Sequence, residues 1–97
     1  MANNDYFVVI FKVLSYFYNQ KKNGKEIKEE NINAYKLQVN QTYLMDIYKE
    51  LFEEGYLKGG HVRSYMDGSI QLDNFEDIRI TIAGVEFLKE NNQMKKS

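Results

Sequence analysis

The stretch Asn40–Gly55, NQTYLMDIYKELFEEG, constrains the fold more than any other part of the chain. Leu44, Ile47, Tyr48, Leu51 and Phe52 recur at the three-and-four spacing that sets them on one face of a helix. Asn40 can accept a hydrogen bond from an orphan amide at the start of that helix, and Gly55 can adopt the left-handed conformation that stops it. Tyr56–Tyr65 follows at once and reads as a strand loosened by Gly59 and Gly60. A capped helix passing through one glycine into a strand predicts the third helix and wing of a winged helix-turn-helix.

The flanking segments extend this α+β reading in chain order. Asn3 or Asn4 can cap a first helix over about 4–22, with Asp5 near its positive end. At ~100° per residue, Phe7, Ile10, Phe11, Leu14, Phe17 and Tyr18 form one apolar stripe. Tyr6, Val9, Val13 and Tyr16 form a second beside it, leaving Val8, Lys12, Ser15, Asn19 and Lys22 as the largely polar face. A surface helix needs only one such stripe. The second is covered either by the C-terminal helix of the same chain or by a second copy, which makes Tyr6, Val9, Val13 and Tyr16 a candidate homodimer interface.

Asn23-Gly24 ends the first helix, and Glu26-Ile27-Lys28 reads as an edge strand. A second helix is predicted over 29–37 with Ile32, Tyr35 and Leu37 inward. Gln38-Val39-Asn40 then forms a tight turn in which Asn40 stands where such turns often hold a glycine. After the central helix over 41–54, the wing covers about 56–81. Asp67-Gly68 is a two-residue hairpin signal, Ser69–Leu72 is the returning strand, and Asp73–Asp77 is a polar loop holding Phe75. Arg79-Ile80-Thr81 closes the sheet, and Thr81 caps a last helix over 82–92 containing Val85, Phe87 and Leu88, with Met94 beyond it. Gly84 in its first turn lets that helix approach another element closely. The expected organisation is a single domain over 1–97: a three-helix core, a small antiparallel sheet with its wing, and a C-terminal helix.

Three local patterns carry a family resemblance: Phe7–Phe17 (FVVIFKVLSYF), Phe52–Gly59 (FEEGYLKG) and Ile80–Asn91 (ITIAGVEFLKEN). With their spacing they resemble the YjcQ family of small proteins of low-GC Gram-positive bacteria and their prophages. The resemblance implies a winged-helix fold and carries over no activity and no catalytic residue.

Composition narrows the function classes. The 97 residues can bury roughly 60–65% of the unfolded chain's surface without a disulfide or a metal. There is no Cys and one His, so neither a redox pair nor a zinc site is expected. His61 reads as a surface residue of the wing. Nucleophile triads, phosphate loops and dinucleotide glycine patterns are missing, so we expect no enzyme and no cofactor. The longest apolar run, Tyr6–Phe11, is far short of the ~20 residues of a membrane span, and no secretory leader is evident. A cytoplasmic protein with no membrane partner is expected.

Charge bears directly on a DNA partner. Thirteen basic against fourteen acidic residues leave a net of −1, and residues 41–80 alone hold four basic groups against eight acidic ones. The candidate DNA contacts are Lys36, Gln41, Thr42, Met45, Lys49, Lys58 and Arg63, whose side chains suit phosphates or base edges. Asp46, Glu50 and Glu53 would be repelled by a duplex. Two readings stay open: a DNA-binding regulatory protein of phage or prophage type, and a winged helix that binds a protein partner and no DNA. Eight tyrosines suit the second, since tyrosine pairs a rigid apolar body with a polar tip.

Overall fold

A computed structural model describes residues 2–91, with side chains from Tyr6 onward. The caps expected at Asn3 or Asn4, and the place expected of Met94, fall outside the described side chains. The architecture is α+β, with four helices: α1 (Ala2–Asn23), α2 (Ala34–Leu37), α3 (Gln41–Glu53) and α4 (Ile82–Glu90). The strands β1 (Leu57–Lys58), β2 (His61–Ser64), β3 (Ile70–Asp73) and β4 (Arg79–Ile80) form two antiparallel pairs, β1 with β4 and β2 with β3.

α3 begins and ends as its sequence dictates. Asn40 is extended, and its Oδ1 accepts from the amides of Thr42 and Tyr43 at 2.7 and 3.3 Å. At the other end Gly55 has φ +81°, the Tyr56 amide donates to the Leu51 carbonyl, and the Gly55 amide donates to that of Phe52. This paired arrangement satisfies two of the carbonyls that a helix end leaves free. Leu44, Met45, Ile47, Tyr48 and Leu51 are buried.

The second stripe of α1 is covered by the chain itself. β4 and α4 pack on α1, and Val9 and Val13 are buried. Of the four candidate interface residues, Val9 and Val13 therefore have no surface to offer a second copy. Tyr6 and Tyr16 are half-buried, and Tyr16 has a local task. Its hydroxyl accepts from the Lys28 amide at 2.9 Å and lies 3.2 Å from the Lys28 carbonyl. Gln20 Nε2 donates to the Glu26 carbonyl at 2.6 Å. The edge strand expected at Glu26-Ile27-Lys28 is therefore not a strand: α1 side chains satisfy its backbone groups, and Ile27 anchors it in the core.

The expected second helix is broken in two. A 3-10 turn spans Glu29–Asn31, and Asn33 then caps the short α2 by accepting from the Lys36 amide at 2.9 Å. Asparagine competes for backbone amides in this way and interrupts a longer helix. The restart turns Tyr35 outward, 87% exposed, against the inward place its spacing suggested, while Ile32 is buried. Gln38, with φ +59°, takes the left-handed position between α2 and α3 that had been assigned to Asn40.

The hairpin differs from expectation by one residue. Tyr65 donates its amide to the Ser69 carbonyl, leaving a three-residue loop Met66-Asp67-Gly68 in place of a two-residue turn. Asp67 holds the loop by accepting from the Ser69 amide at 2.9 Å and the Ser69 hydroxyl at 2.7 Å. The hydroxyl bond, with the amide bond behind it, keeps the Asp67 carboxyl below its usual pKa. Val62, Ile70 and Leu72 are half-buried, and β3 packs on α3. β4 pairs with β1 (Leu57 opposite Ile80) and leaves the hairpin as a separate ribbon.

Phe75, placed in a polar loop by its neighbours, is buried in a 3-10 turn (Phe75–Asp77). Its ring centroid lies 5.8 Å from those of both Phe17 and Tyr48. Gly84 packs closely on another element as expected: a Cβ there would come within 2.6 Å of the Tyr56 carbonyl oxygen, just before β1, and of Ile80 on β4.

Tyr48 is fully buried, and burial first, then the charge of Glu29, raises its hydroxyl above the ordinary pKa of 10.0. The unfolded chain releases this proton at lower pH than the folded one. Stability from this group is therefore present below pH 10.0 and lost as pH rises past it. Denaturant titrations should show the wild type losing up to about 1.4 kcal/mol more per pH unit above that point than Tyr48→Phe. Parallel alkaline profiles would contradict this.

Candidate nucleic-acid interface

The structure brings the start of α3 against the tip of the β2–β3 hairpin. Gln41, Thr42 and Met45 line one side of a cleft of about 110 Å³, and Gly68, Ser69 and Ile70 line the other. Gln41 and Thr42 are exposed at its rim. Ser69 is a residue that sequence reasoning missed as part of this surface. Its only sequence signal was the turn beside it, and the three-residue loop decides where it faces.

Met45 is a correction. Expected as a DNA contact, it is 7% exposed and belongs to the core cluster. The hairpin packs on α3 there, so Met45 forms the floor of the cleft and cannot reach a base edge.

The candidate cations sit on four separate elements. Lys36 is exposed on α2, a few residues before the cleft. Lys49 lies on α3 one turn before Glu53, its Nζ 3.9 Å from that carboxylate. Such an exposed pair is worth about 0.3–0.5 kcal/mol, so a phosphate could displace it. Lys58 sits on β1 opposite Arg79, in the other strand pair.

Arg63 is exposed on β2 and engaged: its Nε is 2.6 Å from Asp73 Oδ2, and its Nη2 donates to Asp73 Oδ1 at 3.3 Å. The hydrogen bond, with the charge of Asp73 behind it, raises the guanidinium pKa above its usual value. Gln71 also donates to Asp73, and the Tyr65 hydroxyl donates to Gln71. This network occupies the outward face of the hairpin. It arises because Arg63 and Asp73 are diagonal neighbours across the ribbon, a register that no local sequence signal reveals. His61 is exposed opposite Asp73.

Asp46 and Glu50 follow Tyr43 along α3 at steps of three and four residues. Tyr6 of α1 stands 6.3 Å from Tyr43, ring to ring. Partial burial first, then the charges of Glu50, Tyr43, Asp46 and Glu54, raises the Tyr6 hydroxyl's pKa. Tyr43, which Tyr6 meets, shares a stripe of α3 with Asp46 and Glu50, whereas Gln41 and Thr42 line the hairpin cleft.

A family model described as YjcQ protein matches residues 11–97. The chain belongs to the YjcQ family. The match covers α3, the hairpin and α4 of this YjcQ-family chain, and all of α1 from Phe11 onward. Neither the curated proteins nor the solved structures provide a match. Among the described residues no helix is long and apolar enough to cross a membrane.

Proposed function

We propose that this YjcQ-family chain is a non-enzymatic winged helix-turn-helix module that binds double-stranded DNA, as a regulatory protein of phage or prophage type. The observation that supports this reading is the cleft between the start of α3 and the hairpin tip. It presents Gln41 and Thr42 at the end of α3 that bears no carboxylate in its first turn. A helix of this kind enters the major groove by its first turns while the hairpin follows the backbone. Gln41 suits an adenine edge, Thr42 a base edge or phosphate, and Lys36 and Lys49 the flanking phosphates.

Anisotropy titration of random duplex DNA tests it. With the two phosphate contacts of Lys36 and Lys49, affinity should fall roughly sevenfold between ~50 and ~150 mM salt. Replacing Lys36 and Lys49 together by Glu should abolish binding while leaving the melting temperature nearly unchanged, because neither side chain is buried. Unchanged affinity in that variant would place the DNA contact elsewhere.

A second reading has its own support. Met66 at the hairpin tip is fully exposed, Tyr35 is 87% exposed, and Arg63 is already held by Asp73. Apolar tips with neutralised cations suit a protein partner better than phosphate. No DNA binding at ~50 mM salt, where electrostatic attraction is still strong, would favour this reading.

A further inference from the structure

Where the start of α1 meets α3, an aromatic surface lies beside unpaired acids. On α1, Tyr6 and Phe7 meet edge to face with ring centroids 5.4 Å apart, and Tyr6 continues to Tyr43 of α3. Phe7 is 47% exposed. Tyr43, Asp46 and Glu50 follow one another at three- and four-residue steps, so they share one stripe of α3. Asp46 and Glu50 are exposed, and among the described residues neither forms an ion pair or a side-chain hydrogen bond.

We infer that the surface made by Tyr6, Phe7, Tyr43, Asp46 and Glu50 docks a cationic protein segment that presents Arg or Lys side chains around an apolar residue. Its chemistry selects that occupant over the others. Duplex DNA and anionic lipid are repelled by the carboxylates. A second copy applied through a two-fold axis would set this patch, which holds two acids and no base, against itself. An Arg side chain satisfies both halves of the surface at once, since its guanidinium stacks on an aromatic face while its N–H groups bridge a carboxylate. The exposed part of Phe7 takes the apolar residue between two such cations. The inference does not rest on the DNA reading, because none of its residues lines the hairpin cleft.

The test is a titration of the ¹⁵N-labelled chain with a capped peptide of alternating Arg and Leu, and with the same peptide carrying Glu for Arg. Amide shifts should concentrate at Tyr6, Phe7, Tyr43, Asp46 and Glu50 with the Arg peptide only. Asp46→Asn combined with Glu50→Gln should weaken binding about tenfold, as expected for two exposed ion pairs. Glu76→Gln combined with Glu86→Gln, an equal loss of exposed charge elsewhere, should leave it unchanged. The inference is overturned if both double variants weaken binding equally, if the Glu peptide binds as well, or if the shifts map to another face. It is also overturned if the chain alone self-associates and loses that association on Asp46→Asn with Glu50→Gln, which would make a second copy the occupant.

Discussion

Replacing Phe75 by Ala is expected to cost about 3–5 kcal/mol, close to the whole stability of a chain this size at the lower end of the usual range. Phe75 is the third ring of a cluster whose other members come from α1 (Phe17) and α3 (Tyr48), and both of those are fully buried. Its removal leaves a cavity between two helices and the 3-10 turn, and forfeits the edge and tilted ring contacts. Asn74, left-handed at φ +57°, turns the backbone so that Phe75 points inward, so the turn cannot easily collapse into the gap. The urea midpoint should fall with an unchanged slope, and the melting temperature should drop by about 12 °C or more. A loss of under about 1 kcal/mol would mean that the segment after β3 is not part of the core.

Gly59→Ala should be comparably damaging, at roughly 2–6 kcal/mol, from two separate causes. Gly59 has φ +101°, a conformation that L side chains rarely adopt, which alone costs about 1–3 kcal/mol. A Cβ would also collide with the Asp77 carbonyl oxygen, a backbone atom that can yield only if the turn after Phe75 moves, adding about 1–3 kcal/mol of overpacking. Because Gly59 lies between β1 and β2, a shift there also moves the hairpin relative to α3 and opens the cleft. Equilibrium unfolding measures the first effect, and amide shifts at Gln41, Thr42 and Ser69 report the second. A variant that melts with the wild type and leaves those amides in place would show that Asp77 does not approach Gly59 so closely.

How much was legible varies with how local each signal is. Asn40, Thr81 and Gly55 act on amides and carbonyls within a few residues, and each holds its expected place at a helix end. The apolar face of α3 was readable for the same reason. Tyr35 and Asn33 show the limit: a helical period over 29–37 was present, and one asparagine side chain at 2.9 Å from the Lys36 amide interrupted it. Of the candidate DNA contacts, Gln41 and Thr42 come together with the hairpin, Met45 is taken into the core, and Arg63 is held by a partner ten residues away.

By itself, the order of residues determined the α+β class, the length and caps of α3, the stop at Gly55 and the start of α4, because these depend on hydrogen bonds and side-chain periods spanning a turn or two of backbone. The tertiary structure decided what covers Val9 and Val13, why Glu26–Lys28 is held by Tyr16 and Gln20, where Phe75 goes and which ring of α3 Tyr6 meets. Burial and register need partners tens of residues away, and a partner at that distance leaves no periodic trace in the segment it packs against.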